Sequence, residues 1–405
     1  MVRKATQIGG GPAFVIEESD TYESYQQSLR NYREKLVTKW GWLLEGRKRD
    51  HLKPIPEHLY PSMAMLFENQ QAVSRGLIHE ATTSTDLTMP STFALPLIRK
   101  IYPELFALRI ASIQPLPLSS GGTGTIFFQD FVREDGGNTS LTTGDSDYAV
   151  GAENSVPKRI KMTITSAAIT TTKDILAATW STEVAEDARG TLGLDIESEL
   201  ITNAANEIIR ETDERVLRAI LDNAAAGNTD WHYTMPVGAV YPPKDHYESL
   251  FHACIDTESL IFAARYRRAD YIVAGRNVVS YLRKAADFKP APRTQPMPGQ
   301  PFAVGVEFMG ELTGNWDVYQ AHYSWMDNIG IMGVYPRSMT DAGYIYCPYI
   351  PLSPMPLVYA EFKPYNDATM PGAYVNTDKW SRNIRTRHGH RAVVPEYFGT
   401  VTISA

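Results

Sequence analysis

His388 and His390 stand one residue apart and are the nearest thing in this sequence to a metal-ligand pair. On a strand they would share a side, because strand side chains alternate, but zinc asks for further donors and none stands close by. They read as surface strand residues. His79-Glu80 has no second histidine four residues on, which removes the zinc-protease arrangement. Asp145, Asp147 and Glu153 resemble a calcium loop in composition, yet Ala149 fills a ligand slot and the glutamate comes too early. They read as a solvated acidic loop tip. The sequon at Asn138 has no meaning without a secretory route.

Nucleophile chemistry fares no better. No Gly-x-Ser-x-Gly elbow is present, and Cys254 and Cys347 sit in no nucleophile motif and lie too far apart in sequence to suggest a disulfide framework. The glycines at 121, 122 and 124 precede a strand, whereas a phosphate cradle needs them after one and at a helix start, so this run reads as a turn. Glu183/Asp187 and Glu207/Glu211 share helix faces, a spacing expected of a solvated acidic face. Arg382, Arg385, Arg387 and Arg391, with the two histidines, form the best basic patch. It can meet phosphates or pair with carboxylates across or within subunits, and the acidic total charge favours the second. No catalytic, cofactor-binding or metal site is therefore expected.

The composition is that of a globular protein: 405 residues, 43% hydrophobic, 21% charged, enough chain for two or three domains. Lys and Arg number 39 against 46 Asp and Glu, so a nucleic-acid-condensing protein is excluded. The opening residues are basic but lack an apolar core before Glu17, and no signal peptide is expected. The longest apolar stretch, 343–360, carries Pro348, Pro351, Pro354 and Pro356, which a membrane helix would not tolerate.

The first 120 residues read as an arm more than a compact domain, with a polar helix from Thr21 to about Glu45 and a short one around Tyr60–Asn69. Thr92–Tyr102 reads as a helical piece. Gly124–Glu134 is aromatic and β-branched, and Arg159–Thr165 alternates strictly, so both read as strands. The ~24 residues between them are too many for an ordinary turn. A long two-stranded ribbon is the simplest geometry, and alone in water it would be marginal. From Ser181 to Ala226 the spacing predicts a short and a long helix, broken near Gly190 and Gly193, with an apolar stripe of Leu192, Ile196, Leu200, Ile208, Leu217 and Leu221. A helix–strand–helix unit is predicted over 247–288, a hairpin at 311–319, and strands at 329–335, 344–349, 357–362, around 373–375 and at 397–403. The long helix is expected to pack on a sheet formed partly by the last strands, near Phe398 and Val401.

That order of elements resembles the HK97-fold major capsid proteins of tailed bacteriophages, in the T-even-related branch. The resemblance is carried by Thr92–Leu105, Ile113–Pro117 and Thr123–Phe128, by Trp180–Leu200 followed by Ala205–Ile209, and by Asp341–Leu352 with the terminal Pro395–Gly399. It implies an α+β fold with an N-terminal arm and linker over 1–123, an extended E-loop over 124–173, a P-domain with its spine helix over 174–227, an A-domain over 228–357 and a return to the P-domain over 358–405. It also implies a structural role without catalysis: hexamers and pentamers closing an icosahedral shell around double-stranded DNA in the virion, assembled in the host cytoplasm, with portal and scaffolding proteins as partners and a decoration protein possible.

Phe127, Phe128 and Phe131 are expected at the base of the E-loop, where it meets a neighbouring subunit. An acidic wall would leave the DNA mobile, since it offers phosphates nothing to grip, and neither sequence-specific DNA binding nor membrane contact is expected. Two rival readings are an encapsulin-type compartment shell and a soluble carbohydrate-active enzyme. Particle size and contents separate all three.

Overall fold

The structure is a computed structural model; it describes residues 22–45, 55, 57–74, 99, 105–116, 122–133, 160–193, 196–235, 243–284, 288–290, 305–312, 316–359, 362–364, 374–376 and 379–404. Helices and strands are mixed along the chain, giving an α+β fold. In order, the elements are α1 (Tyr22–Leu44), α2 (Tyr60–Ser74), α3 (Ala107–Ile110), β1 (Ser112–Ile113), β2 (Thr123–Arg133), β3 (Ile160–Thr170), β4 (Thr172–Ser181), α4 (Thr182–Leu192), α5 (Ile196–Asn223), β5 (Asn228–His232), α6 (Pro243–Arg265), β6 (Tyr271–Ala274), α7 (Arg276–Leu282), β7 (Phe288–Pro290), β8 (Val306–Leu312), β9 (Trp316–Ala321), β10 (Ile329–Gly333), β11 (Tyr344–Tyr359), β12 (Phe362–Pro364), β13 (Tyr374–Asn376), β14 (Lys379–Ala392) and β15 (Phe398–Ser404).

Two sheets organise them. A four-stranded sheet runs β1-β11-β14-β4, and a seven-stranded sheet runs β5-β15-β10-β6-β9-β8-β7. The pairs β2-β3 and β12-β13 stand as separate two-stranded ribbons. Strands β2 and β3 pair antiparallel without a slip from Thr123↔Thr170 to Arg133↔Ile160. The expected ribbon is therefore present, and at its inner end the chain turns straight into β4, so Lys173 belongs to the four-stranded sheet rather than to the ribbon.

The predicted break between the two helices follows from local chemistry. Ser181 caps α4 by accepting the Val184 N–H on its hydroxyl, and Gly193 ends it in the left-handed region at φ 64°. The long helix α5 then buries Ile201, Ala205, Ile208, Ile209, Val216, Leu217 and Ile220. Of the predicted stripe, Ile208 and Leu217 lie on this face, whereas Ile196, Leu200 and Leu221 are only half-buried; the side chain of Leu192 lies outside the described residues. The core face is thus rotated by about one position, because Ala204, Ala205 and Thr212 complete it where a count of large apolar residues passes over them. It packs mainly on β14 and β4. Phe398 joins the same core as α5, but Val401 belongs to a second core between the seven-stranded sheet and α6, with Leu250, Ile272 and Val318. The last strand closes the seven-stranded sheet, pairing parallel with β5 and antiparallel with β10.

The helices of the first 74 residues belong to the main core. Leu36, Trp40 and Leu44 of α1 meet Met63, Leu66 and Phe67 of α2, with the Trp40 and Phe67 rings 5.7 Å apart. Asn69 then donates to the carbonyls of Leu116 (3.1 Å) and Tyr349 (2.7 Å), which ties α2 to the four-stranded sheet. An arm-like reading missed this because the first half of α1 is largely polar in sequence, and its large apolar residues gather in its last three turns. The helical piece expected at Thr92–Tyr102 lies outside the described residues apart from Arg99.

The strands predicted at 344–349 and 357–362 are one strand as far as Tyr359, β11. Its prolines remove ladder donors, and the pairing with β14 slips at Pro348/Ile350, Ile350/Ser353 and Pro354/Leu357. Among the described residues the other side of β11 is paired only near its start, at Ile345 and Tyr346 with β1 and at the Pro348 carbonyl, which accepts the Leu116 N–H (3.0 Å), so the rest of β11 is an edge, where proline is tolerated.

Candidate assembly surface

The ribbon has two unlike faces. Ile126 and Phe128 of β2 stand opposite Ala167 and Thr165 of β3, and this face turns inward, where Ile126 and Ile169 are buried with Leu116, Ile345, Cys347, Tyr349 and Ile350. Gly124 leaves just the space that the Leu116 side chain occupies, since a Cβ there would overlap it. Phe127 faces the other way, 39% exposed, with Ile164 of β3 at 40%. Gln114 holds this stretch in place: its amide donates to the Phe127 carbonyl (2.9 Å) and its carbonyl accepts the Phe127 N–H (3.2 Å). A further bond runs from the Gln129 N–H to the Thr340 carbonyl (3.2 Å).

Of the three phenylalanines expected at the base, Phe128 therefore packs inward and Phe127 outward, and the buried anchors are Ile126 and Ile169. The Phe131 side chain lies outside the described residues. The sequence signal for the anchors was there, because Ile126 alternates with Phe127 and Ile169 with Ala168. The aromatic residues drew attention first.

Strand β14 splits the arginine cluster. Its register with β4 is unbroken from Lys379↔Ser181 to His388↔Thr172. Alternation along it puts Arg382 on the α5 side with Ile384, Thr386 and His388, and puts Arg385, Arg387 and Arg391 on the side facing the ribbon base. Arg382 is buried. The Arg387 guanidinium lies 5.2 Å from the centre of the Tyr349 ring, and Arg391 donates to the Ala168 carbonyl (3.3 Å). These contacts stitch β14 to β11 and β3, and only Arg391 of the four is exposed.

His388 is not a surface residue. It is 1% exposed beneath α5, and neither ring nitrogen makes a hydrogen bond. Its Nε2 lies 3.7 Å from Asp174 Oδ2, while Asp174 receives a 2.7 Å hydrogen bond from Arg215 of α5. The Tyr346 ring lies tilted to it at 5.4 Å and the His390 ring at 6.1 Å, with His390 Nδ1 bonded to the Tyr344 hydroxyl (2.5 Å). Burial pushes the His388 pKa down to about 4, partly offset by Asp174, and burial lowers His390 as well.

A base whose folded pKa is depressed favours the fold while both states are neutral, and that stability is lost as pH falls from the ordinary 6.5 toward about 4. Over that window the loss is on the order of 3 kcal/mol. The buried Asp213 carboxyl, raised to about 7 by desolvation although it accepts the Phe106 and Ala107 N–H groups, acts in the opposite sense: its contribution is full at low pH and fades as pH rises toward 7. Asp213 cancels when wild type is compared with His388→Gln. The melting-temperature advantage of wild type over that variant is expected to shrink steadily between pH 7 and pH 4. A constant gap would show that His388 is not a buried neutral group.

Among the described residues no group of three His, Cys, Asp or Glu is placed to hold a metal ion. Cys254 and Cys347 are buried, and desolvation pushes both thiols up to about 12, far from a reactive thiolate. Glu207 pairs with Arg210 instead of with Glu211, which lowers its pKa. The calcium-like segment 145–153 and His79-Glu80 lie outside the described residues. No described helix is long and apolar enough to cross a membrane.

A family model described as "Major capsid protein Gp23" matches residues 123–365, more than half of the chain. The chain is 29% identical over 199 residues to the major capsid protein of Vibrio phage KVP40, covering 44% of this chain and 38% of the relative. With the major capsid protein of Enterobacteria phage T4 it shares 29% identity over 205 residues, 44% of this chain and 37% of the relative. The chain thus spans less than two-fifths of the length of the curated relatives it matches. Among solved structures it is similar to a chain from Mycobacterium phage Adephagia, with TM-score 0.43, 9% identity, and coverage of 83% of this chain and 98% of that one. A chain from the capsid of an empty GTA particle gives TM-score 0.39, 12% identity, 82% and 98%.

Proposed function

The chain belongs to the Gp23 major capsid protein family, and from that membership we propose that it is the repeating subunit of a tailed-phage shell, built in the HK97-like manner from hexamers and pentamers. The observation that carries the reading is the extent of the family match: residues 123–365 take in the ribbon, both helices α4 and α5, and six of the seven strands of the large sheet. It favours a phage capsid over an encapsulin-type compartment and over a carbohydrate-active enzyme. The role is structural. Packaged double-stranded DNA, portal and scaffolding proteins, a possible decoration protein, and a virion destination reached from the host cytoplasm follow as parts of the same proposal.

In this reading 1–123 is arm and linker, 124–173 the E-loop, 174–227 the spine-helix region, 228–357 the A-domain and 358–405 the return. The division is functional more than geometric, since α1 and α2 share the main core with α5, and β15 completes the seven-stranded sheet. The E-loop contact is assigned to the outward face of the ribbon, with Phe127 and Ile164 as its apolar part and Arg391 as a charged neighbour on β14. An aromatic half out of water on a two-stranded ribbon gains by being covered.

Phe127→Asp tests the contact. The unassembled chain should melt close to wild type, because the side chain supports no core, while particle yield should fall about tenfold or more, the effect of losing ~1.4 kcal/mol at each contact. Normal particles from this variant would move the contact elsewhere. Gel filtration, light scattering and electron microscopy of the two preparations read it.

A further inference from the structure

A cleft of about 510 Å³ opens where α6 ends, between the loop that follows it and the loop after β10. Tyr266 takes a left-handed backbone conformation, φ 50°, which stops the helix and stands its ring edge-on to Phe262 at 5.7 Å. Both rings are more than two-fifths exposed. Arg267 forms the inner wall, donating to the Tyr335 carbonyl (3.1 Å) and pairing with Asp341 at 3.4 Å. On the rim, Arg268 lies 5.9 Å from the Phe262 ring centre, and Arg337 is exposed. Neither Arg268 nor Arg337 has a carboxylate partner among the described residues. The single acid in the lining, Asp270, uses Oδ2 to accept the Tyr335 N–H at 2.9 Å. Two exposed aromatic rings beside two uncompensated guanidinium groups suit an anionic segment that also carries an aromatic side chain.

This chain contains such a segment. Between Glu134 and Pro157 stand Glu134, Asp135, Asp145, Asp147 and Glu153 with no Lys or Arg, and Tyr148 directly follows Asp147. The segment joins β2 to β3, whose eleven-residue strands carry its ends about 36 Å from the ribbon base at 3.3 Å per residue. We propose that the cleft formed by Phe262, Tyr266, Arg268 and Arg337 receives the acidic segment 134–157 of a second copy of this chain. A nucleic-acid strand suits the cleft less well, because its evenly spaced phosphates would have to pass Asp270 and it has no stated source of fit to so short a basic rim. The proposal rests on the shell reading and names the partner surface that the ribbon reaches.

The test is a charge swap. Asp145→Lys with Asp147→Lys in the segment, and Arg268→Glu with Arg337→Glu in the cleft, should each lower particle yield about tenfold, and the four changes combined should restore most of it. A labelled peptide of residues 134–157 should bind the unassembled wild-type chain, and bind the cleft variant about tenfold more weakly. Arg268 and Arg337 are exposed, and melting temperatures of all the unassembled chains control for folding. If the wild type assembles but neither pair of changes affects yield, or the combination is no better than either pair, the proposal is overturned while the shell reading stands. If the wild type never assembles, the shell reading fails, and peptide binding still decides the cleft. Loss of a DNA oligonucleotide's binding in the cleft variant, with no peptide binding to either, would assign the cleft to nucleic acid and overturn the proposal.

Discussion

Gly275→Ala is expected to leave little folded protein. Gly275 caps the start of α7 in ordinary extended backbone, φ −72°, so the conformation itself suits any residue. The obstacle is space. A Cβ at this position would overlap the main-chain carbonyl of Met326 and come within 2.6 Å of the Asp327 Cα, both backbone atoms that cannot swing aside. The two segments are held at that distance by the Gly275 N–H to Ile329 O bond (3.0 Å) and the Asn277 N–H to Asp327 O bond (3.1 Å). Opening the approach would break both and disturb the pairing of β6 with β10 in the middle of the large sheet. Overpacking of this kind costs about 3 kcal/mol or more. Soluble yield should collapse, or melting should fall by about 10 °C in what survives. Circular dichroism melts of the two proteins check it, and a variant within about 2 °C of wild type would show that the loop after β9 yields easily.

Leu217→Ala is expected to destabilise by about 2–5 kcal/mol, and Leu200→Ala by clearly less. Leu217 is 1% exposed in the core shared by α1, α2, α5, β11 and Phe398, so a cavity there has no neighbour free to fill it. Leu200 lies one position off the buried face and is half-buried. The earlier expectation from apolar spacing made Leu200 a core residue, so the pair separates the observed face from the counted one. Glu199→Ala, on an exposed position, serves as the neutral reference. Chemical denaturation of unassembled chains gives all three, and equal losses for Leu217 and Leu200 would mean that the helix sits rotated from the face described.

Where one chemical pattern dominates a segment, the fold could be read directly. The ribbon strands declare themselves by β-branched and aromatic residues in alternation, and the α4–α5 break by a serine cap and a left-handed glycine. Of strand β14 only the His388–His390 end was legible, because charges fall on both its faces: Arg382 and His388 point toward α5, Arg385 and Arg387 toward the ribbon base, and only Ile384 marks a core. Its stability comes from partners supplied by β4 and β11, with Asp174 standing opposite Thr386, and none of that is local in sequence. The same reason made His388 look like a surface residue. A histidine without a hydrogen bond under a helix is a tertiary fact. The arm helices misled for a related cause, since Trp40 and Phe67 become core only when α1, α2 and β11 meet. The assembly surface was legible in outline, as a ribbon with no core of its own, but the inward and outward faces needed the register that puts Ile126 opposite Ala167.

The central claim, that this chain is a shell subunit, is tested most directly by imaging the purified protein under assembly conditions by electron microscopy, with its mass measured in parallel by light scattering. The account predicts closed icosahedral particles of megadalton mass in which the ribbon β2-β3 of each subunit lies against a neighbouring subunit with Phe127 covered. A monomer or dimer under every assembly condition, or closed particles whose ribbons rest wholly on their own subunit, would contradict it.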